Sequence, residues 1–328
     1  MNVLLVGRGS IGKKHLQTLE GLRRALHLSL FVFEPSNYGA QYYKELSREI
    51  RNKKIDTAFV CNPTSMHAKS ALVCLRAGAN VFLEKPLSDN WDEKTFLQIR
   101  ALLKTKKLTL MVGYDMRFNP WIRKVKGLVD ARIIGNIWGA RVMAGQYLPD
   151  WRLGKDYRST YSAKRALGGG VLLDLSHELD YLHWLLPKEV VSVTARNINT
   201  GRLKIDTEDV SSMVLQYDGS GIANIHLDYL TVPYRRSLEL YGDKGMILWD
   251  DNSRELRVYT KRTGKWKKIK IRARDAEGAA IFKNELIHFF DCIKHKRVPL
   301  NSLENSMYVM KLIQKAKQSS EKNRTMKI

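Results

Sequence analysis

Over the first 112 residues, short apolar runs alternate with segments in which apolar residues recur at helical spacing. Runs of this length are typical of strands, and the segments between them are long enough for crossover helices. This alternation predicts βαβ units and a parallel sheet that is buried on both faces. The predicted strands are Asn2–Val6, Leu28–Phe33, Ile55–Val60, Asn80–Leu83 and Leu108–Val112, and the predicted helices are Ile11–Leu26, Gln41–Arg51, His67–Ala77 and Trp91–Lys104.

After about residue 120 the pattern changes to one long helical segment, Gly168–Leu186, followed by strand-like stretches with no helix between them. Such a run predicts a mainly antiparallel sheet. The stretches are Val190–Ile198, Val210–Tyr217, Gly221–Tyr229, Arg236–Gly242, Gly245–Asp250, Glu255–Thr260 and Lys265–Arg274. Two helices, Ala279–Lys294 and Leu303–Ser320, follow, and the polar tail Glu321–Ile328 is expected to fray.

These patterns predict an α/β chain of two domains. Residues 1–118 form a doubly wound Rossmann domain around a parallel sheet, and residues 119–328 form an α+β domain around a large, mainly antiparallel sheet. A chain of 328 residues is long enough for two hydrophobic cores.

A glycine-rich turn follows the first predicted strand and opens the first predicted helix. Its three glycines, at positions 7, 9 and 12, suit a tight turn, a close approach to a pyrophosphate and helix packing on the strand. The alternative is a purely structural turn. Glu34 ends the next strand, where a carboxylate would bind the ribose hydroxyls and favour NAD over NADP, although Ser36 and Asn37 keep NADP possible. The turn and its neighbours predict cofactor contacts from Gly7, Arg8, Gly9, Ser10, Ile11, Gly12, Glu34, Pro35 and Ser36.

Further polar residues lie where the third and fourth strands end, which is where ligands bind in open α/β sheets. Cys61, Asn62, Pro63 and Thr64 follow the third strand, and Glu84 and Lys85 follow the fourth. All six are predicted to contact the cofactor. Lys85 is also a candidate to bind a substrate oxygen, since a lysine at this edge of the sheet can donate hydrogen bonds to a hydroxyl or carbonyl. His67 opens the next helix, either as a packing residue or as a cofactor contact.

In the second domain, Asp174, His177 and Asp180 are spaced three apart, so a helix would place them on one face. An imidazole flanked by carboxylates can act as a general acid or base near neutral pH. The alternative is an amphipathic helix with polar residues on its wet side. Arginines and aromatics nearby suit a carboxylate, a phosphate or a sugar ring. The candidates for substrate binding are Lys85, Tyr114, Arg117, Trp151, Arg152, Tyr157, Arg158, Asp174 and His177.

Composition narrows the function classes. No run of about 18 apolar residues occurs, so no membrane span is expected, and the first residues lack a secretory signal pattern. Three cysteines without a Cys-x-x-Cys pair predict neither disulfides nor a zinc knuckle, which fits a reducing cytoplasm. No His/Asp/Glu cluster has metal-ligand spacing, so no metal is expected.

The formal net charge of +23 fits nucleic acid, an anionic surface or an acidic substrate. Its main cluster, residues 261–274, alternates basic and apolar residues, which favours a solvated strand face over a nucleic-acid footprint. Nucleic acid is therefore not the expected partner; the expected partner is a small molecule, which can be anionic.

The chain resembles the glucose–fructose oxidoreductase / inositol dehydrogenase / MocA family over essentially its whole length. The resemblance is carried, in order, by VGRGSIGKKH at the start, CNPTSMHA from residue 61, FLEKPLS from 82, VGYDMRFNP from 112 and GGGVLLDLSHELDYLHWLL from 168. It implies hydride transfer between a nicotinamide and a secondary alcohol or ketone of a sugar, sugar acid, nucleotide sugar or cyclitol. Residues 148–170 resemble a subgroup associated with bacterial surface-carbohydrate pathways.

The resemblance also implies residue roles. The family's catalytic lysine matches Lys85, and its proton-exchanging histidine matches His177. Many members place an aspartate four residues before that histidine, whereas Asp174 lies three before, so either its side chain is rotated or a backbone irregularity absorbs the difference. The family further implies a homodimer or homotetramer formed by the second sheet. A nicotinamide-binding sensor without catalysis is the alternative function.

Overall fold

The structure is a computed structural model, and it describes residues 1–34, 39, 41–152, 154–186, 188–219, 221–272, 274 and 277–328. The chain divides into two compact units. One contains residues 1–118 and 277–310, and the other contains residues 119–276 and 311–328. This division differs from the predicted 1–118 and 119–328 in residues 277–310, which pack with the first sheet. The predicted contacts Pro35 and Ser36 lie outside the described residues.

Nine α-helices occur in the described residues. They are α1 (Ser10–Leu22), α2 (Tyr42–Asn52), α3 (His67–Arg76), α4 (Glu93–Lys106), α5 (Pro120–Asp130), α6 (Val171–Asp174), α7 (His177–Leu185), α8 (Gly278–His295) and α9 (Leu303–Lys322). Within the described chain, no helix combines the length and apolar composition needed to cross a membrane.

The strands belong to two sheets. The first sheet contains β1 (Asn2–Val6), β2 (Ser29–Phe33), β3 (Thr57–Val60), β4 (Asn80–Leu83) and β5 (Leu110–Val112). The second contains β6 (Ile137–Gly145), β7 (Val190–Ile198), β8 (Val210–Tyr217), β9 (Gly221–Asp228), β10 (Arg235–Gly242), β11 (Gly245–Asp250), β12 (Glu255–Thr260), β13 (Lys265–Ile269) and β14 (Met326–Lys327).

The first sheet is parallel, as predicted, in the order β2-β1-β3-β4-β5. The strand order reverses around β1, which creates the switch point where ligands bind in doubly wound sheets. The central strands are buried on both faces because helices cover them. On one face, Phe289 and Phe290 of α8 pack against Phe59 and Phe82. These contacts are the reason that α8 belongs to the first unit.

The second sheet has the order β13-β12-β11-β10-β6-β9-β8-β7-β14, and every neighbouring pair except β6 and β9 is antiparallel. Burial alternates along β8 and β9, as expected for strands with one covered face. Helices α6 and α7 pack on the covered face. The opposite face is lined by polar and charged side chains that include Arg141, Asn224, His226 and Glu239.

Three predictions about the second domain are wrong. The helix predicted over Gly168–Leu186 is two helices, since the backbone leaves α-helical geometry at Leu175 and Ser176. The strand predicted over Lys265–Arg274 ends at Ile269. The tail does not fray: α9 continues to Lys322, and β14 pairs with β7. Hydrogen bonds fix the tail, among them the Ile328 N–H donated to the Val191 carbonyl at 3.1 Å.

Candidate active site

The three glycines of the turn differ in how closely the chain packs around them. Gly7 has a φ of +92°, and a Cβ there would lie 2.9 Å from the Asn62 nitrogen. A Cβ on Gly12 would lie 2.2 Å from the Gly7 carbonyl oxygen, so only glycine lets α1 pack this closely. A Cβ on Gly9 would have no described atom within 4 Å. Internal packing therefore explains Gly7 and Gly12 but not Gly9.

The start of α1 suits an anion. Its N-cap is Gly9, no side chain caps it, and its first turn carries no acidic residue. The free N–H groups and the positive end of the helix dipole therefore face the turn, as in phosphate sites at helix starts. Ser10 is exposed there, whereas Ile11 packs against the core. This cradle fits the pyrophosphate of a dinucleotide.

Glu34 directly follows β2, next to the turn. The Gly7 N–H donates to the Phe33 carbonyl at 3.1 Å, which holds the two strand ends together. The Glu34 side chain is 58% exposed, and its carboxylate lies 3.9 Å from the Arg8 guanidinium. A carboxylate in this position can accept hydrogen bonds from a ribose.

The loop after β3 is held from inside. Asn62 is buried, and its amide donates to the Tyr42 hydroxyl and to Ser70 Oγ, each at 2.8 Å. Its Oδ1 is also buried and has no hydrogen-bond partner among the described residues. Cys61 and Thr64 are buried beside it, and burial raises the pKa of the Cys61 thiol well above its usual value. The Asn62 side chain thus fixes this loop from inside through its amide group.

His67 joins two loops. Its ring is 2% exposed, with Nδ1 2.7 Å from the Pro86 carbonyl oxygen and Nε2 2.9 Å from the Asn62 carbonyl oxygen. Burial lowers the pKa of the imidazole, although the two carbonyls and Glu84 oppose that shift. Because both ring nitrogens already face backbone oxygens, the geometry favours the packing role over a direct cofactor contact.

Glu84 and Lys85 follow β4, as the sequence predicts. One Glu84 oxygen, Oε1, lies 2.5 Å from His15 Nε2, and the other, Oε2, accepts the Lys85 N–H at 3.2 Å. His15 is fully buried, whereas the Lys85 side chain is partly exposed. Together with the turn after β1 and the loop after β3, they form the carboxyl edge of the sheet.

Arg117 is not placed as predicted. Its side chain is 0% exposed, and Nη1 donates to the Leu300 carbonyl at 2.9 Å. Tyr114 is also fully buried, and its carbonyl accepts the Asn301 amide at 2.9 Å. Both residues thus fasten the chain after β5 to the segment before α9. The sequence does not reveal this role, because their partners lie more than 180 positions away.

In the second unit, Asp174 ends α6 and is held by two phenols. The Tyr229 hydroxyl donates to Asp174 Oδ2 at 2.6 Å, and the Tyr161 side chain also hydrogen-bonds this carboxylate. Burial, and then the charge of Asp174, raise the pKa values of both tyrosines well above their usual value. Both phenols therefore stay protonated and act as donors, which fixes the carboxylate in place.

His177 opens α7 and is partly exposed, while Asp180 is fully buried. The break at Leu175 and Ser176 separates Asp174 from His177, so the predicted single helical face through 174, 177 and 180 is wrong. The backbone between Asp174 and His177 is therefore irregular.

Glu208 completes the start of α6. Gly170 has a φ of +114°, and a Cβ there would lie 2.4 Å from Glu208 Oε1. Glu208 accepts the Leu172 N–H at 3.4 Å and, through its carbonyl, the Val171 N–H at 3.2 Å. Burial raises the pKa of Glu208 above its usual value. The glycine run thus lets Glu208 cap the helix that carries Asp174.

The remaining candidates divide into two groups. The Trp151 ring meets Tyr229 edge-on with ring centres 5.2 Å apart, and the Arg152 guanidinium lies 5.4 Å from the centre of the Tyr161 ring. Both side chains therefore border the Asp174 cluster, which consists of Asp174, Tyr161 and Tyr229. Arg152 Nη1 is buried and has no hydrogen-bond partner in the part of the chain described.

Arg158, by contrast, is exposed and forms an ion pair with Asp156 at 2.7 Å, and the Tyr157 hydroxyl accepts the Lys204 N–H at 3.2 Å. Their polar groups are engaged locally, which leaves Arg152 as the better candidate for an anion. In the described ranges, no three His, Cys, Asp or Glu side chains come together as metal ligands.

Sequence reasoning missed four residues: His15, Tyr161, Glu208 and Tyr229. His15 has a signal, because it follows Gly12 by three positions on the buried stripe that continues through Leu19 and Leu22. A histidine on such a stripe needs a buried polar partner. No sequence pattern points to the other three, whose contacts with the Asp174 cluster come from distant parts of the chain.

Comparison with known proteins agrees with this architecture. Residues 1–114 match the family described as "Oxidoreductase family, NAD-binding Rossmann fold", and residues 122–248 match the "GFO/IDH/MocA C-terminal domain". The chain is 25% identical to a myo-inositol 2-dehydrogenase of Thermotoga maritima, covering 100% of this chain and 98% of that protein. It is 27% identical to an inositol 2-dehydrogenase of Rhizobium meliloti, covering 74% and 73%.

Solved structures share the fold. A levoglucosan dehydrogenase in complex with NADH and levoglucosan superposes with a TM-score of 0.82 at 17% identity, covering 100% of this chain and 99% of that one. An aldose-aldose oxidoreductase of Caulobacter crescentus gives a TM-score of 0.79 at 19% identity, with the same coverage.

Proposed function

Because the chain belongs to the glucose–fructose oxidoreductase / inositol dehydrogenase / MocA family and carries its NAD-binding Rossmann domain, we propose that it oxidises a secondary alcohol of a sugar-like substrate, or reduces the corresponding ketone. The substrate class is a sugar, sugar acid, nucleotide sugar or cyclitol. Relatives named inositol dehydrogenases support this class. The reaction belongs to bacterial carbohydrate metabolism or surface-polysaccharide synthesis.

One observation carries the proposal. At the carboxyl edge of the first sheet, an uncapped helix start with an open Gly9 lies in the same unit as a partly exposed lysine, Lys85, which is fixed through Glu84. The first feature fits a dinucleotide pyrophosphate. The second fits polarisation of a substrate oxygen at the ligand-binding edge of the sheet.

When bound, the nicotinamide supplies hydride chemistry by accepting or donating a hydride. The protein supplies binding, orientation and proton transfer. We assign the pyrophosphate to the turn Gly7–Gly12 and the ribose to Glu34, which favours NAD over NADP. Lys85 holds the substrate oxygen, His177 takes or returns the hydroxyl proton, and Asp174 supports them through its fixed carboxylate.

The experiment combines substrate screening with substitution. A panel of polyols, sugar acids and nucleotide sugars is tested with NAD and NADP, and turnover is followed by NADH or NADPH absorbance. Replacing Lys85 by Ala should abolish turnover, while NADH titration by fluorescence should give nearly the wild-type Kd. Replacing Lys69 by Ala, an exposed lysine on α3, is the matched control and should change neither.

Wild-type turnover in the Lys85→Ala variant would refute the assignment. NADH binding without turnover of any panel member would instead favour the non-catalytic sensor. We further propose a homodimer or homotetramer that pairs through the exposed face of the second sheet, and a cytoplasmic location in which the buried thiols of Cys61, Cys74 and Cys292 stay reduced. Sedimentation equilibrium tests the assembly.

A further inference from the structure

A buried histidine–carboxylate pair connects the glycine turn's helix to the residue before Lys85. We propose that His15 and Glu84 are positioning residues: they fix the Lys85 backbone from α1, so that cofactor binding at the start of α1 and the orientation of Lys85 are coupled. This inference rests on the proposed catalytic role of Lys85.

The first support is the contact itself. His15 lies about one helical turn after Gly12, and its Nε2 is 2.5 Å from Glu84 Oε1, although 69 positions separate the two residues. Helix α1 is pinned at its start, because Gly12 packs directly on the Gly7 carbonyl. A displacement of the turn is therefore passed to His15 by a rigid helical segment.

The second support is the surroundings of the imidazole. The ring centres of Phe82, Phe282 and Phe59 lie 5.0, 5.5 and 6.0 Å from that of His15. A polar pair in such an apolar sleeve loses hydration, and an apolar pair of similar volume is often at least as stable. Stability alone therefore does not account for a histidine here. Its Nδ1 has no hydrogen-bond partner among the described residues, so Glu84 is the partner that the ring serves.

The third support is how Glu84 divides its two oxygens. Oε1 faces His15, and Oε2 accepts the Lys85 N–H at 3.2 Å. The Glu84 backbone is itself fixed, since its N–H donates to the Val60 carbonyl at 2.9 Å. Gly113 leaves room for this carboxylate, because a Cβ there would lie 3.3 Å from Oε1. Losing His15 frees the carboxylate and with it the Lys85 peptide.

Three substitutions test the pair. His15→Leu removes the donor, whereas His15→Gln keeps an N–H donor. Glu84→Gln is isosteric, but it removes the negative charge and one of the two acceptor oxygens, and its amide can meet both His15 and the Lys85 N–H only if the imidazole changes tautomer so that Nε2 accepts. A misplacement of about 1 Å costs up to about a hundredfold in rate. We therefore expect His15→Leu and Glu84→Gln to lower kcat by about tenfold to a hundredfold, with KM for NADH changed less than about threefold, and His15→Gln to recover most of kcat.

Two readouts separate positioning from general loosening. The primary isotope effect with 4-deuterated NADH should rise in the slow variants, because hydride transfer becomes more rate-limiting. In the wild type, NADH should slow hydrogen–deuterium exchange of the Lys85 amide, and His15→Leu should remove this protection even if NADH still binds. His288→Leu is the control. It replaces another histidine of the first unit, whose Nε2 accepts the Leu300 N–H, and it should leave kcat and the isotope effect unchanged.

Equal kcat values in His15→Leu, His15→Gln and the wild type would overturn the inference, as would NADH-dependent protection of the Lys85 amide that survives His15→Leu. If His15→Leu does not fold, Glu84→Gln alone decides through kcat and the exchange of the same amide. The Lys85→Ala variant is measured in parallel. An inactive Lys85→Ala beside fully active His15 and Glu84 variants refutes only the positioning role, whereas a fully active Lys85→Ala refutes the proposed function.

Discussion

The two glycines at the start of α1 should fail in different ways when replaced by alanine. At Gly9, φ is −66° and ψ is −168°, a conformation that alanine adopts readily, and the new Cβ meets no described atom within 4 Å. At Gly12, the new Cβ and the Gly7 oxygen must separate by about 0.8 Å to reach 3.0 Å, and that oxygen belongs to the backbone. We expect Gly9→Ala to impair binding alone and Gly12→Ala to impair folding as well.

The magnitudes follow from these distances. Overpacking of a fixed site costs about 1–3 kcal/mol, and 1 kcal/mol lowers Tm by about 3 °C in a domain of this size. Gly12→Ala should therefore melt about 3–9 °C below the wild type. The free energy of unfolding of Gly9→Ala should stay within about 1 kcal/mol of the wild-type value. A hydrogen bond from a backbone N–H to a charged phosphate is worth about 1.5–3 kcal/mol, so losing one should weaken NADH binding in Gly9→Ala by about 10- to 150-fold.

Scanning calorimetry and NADH fluorescence titration measure the two effects separately. Gly21→Ala is the matched control, because it also lies on α1 and its new Cβ meets no described atom within 4 Å. It should bind NADH normally and melt slightly higher, since alanine favours a helix over glycine by about 1 kcal/mol. Wild-type NADH affinity in Gly9→Ala would refute the assignment of the pyrophosphate to this turn. If Gly9→Ala melted at a temperature as low as that of Gly12→Ala, the steric argument would be refuted.

Three further predictions concern buried ionisable groups. Arg152→Met should raise KM for sugar acids about tenfold or more through the lost charged hydrogen bond and leave KM for neutral polyols nearly unchanged, because Nη1 is buried without a described partner; equal changes for both classes would exclude recognition of an anion. Arg236→Met should lower Tm by about 10 °C, because the fully buried Glu178, 2.8 Å from the guanidinium, would lose its cation at a cost of roughly 3–5 kcal/mol. Adding Glu178→Leu should restore most of the lost Tm. A double variant that melts as low as Arg236→Met would show that the two residues do not act as a pair. Burial lowers the pKa of His67 below 6.5, so just below pH 6.5 the folded form binds fewer protons than the unfolded chain. The free energy of unfolding should therefore fall as the pH decreases through that range. Urea titrations should show a smaller fall in His67→Gln, and an identical dependence of the unfolding free energy on pH in both proteins would contradict the shift.

The part of the first unit formed by residues 1–118 could be predicted because its signals are local. Its strands are apolar on both faces, and its glycine turn joins a strand to a helix in one short segment. Lys85 comes directly after the apolar run that forms β4. Its place at the carboxyl edge of the sheet can therefore be predicted from the sequence of strands. None of these features depends on contacts between distant parts of the chain.

The rest depends on tertiary contacts that leave no periodic trace. The break between α6 and α7 replaces the continuous helix expected from the apolar spacing, with Gly170 and Glu208 fixing the start of the first piece. The hydrogen bond between Tyr229 and Asp174 joins residues 55 positions apart. Arg117 looks like a surface arginine in the sequence, yet it is fully buried, and its Nη1 donates a hydrogen bond to the Leu300 carbonyl.

The two outer strands of the second sheet bear on how copies of the protein meet one another. An outer strand offers unpaired N–H and C=O groups, which invite edge-to-edge aggregation. At one end, β14 covers part of β7 with a short two-residue strand. At the other end, β13 is exposed and carries Lys265, Lys267 and Lys268, and lysines there repel a second strand.

Part of the +23 charge therefore acts as a barrier between sheet edges. Deleting the last few residues would uncover the edge of β7. This strand carries no lysine, and its exposed side chains include Val191 and Ile198. We therefore expect loss of the short tail to cause aggregation before it lowers activity.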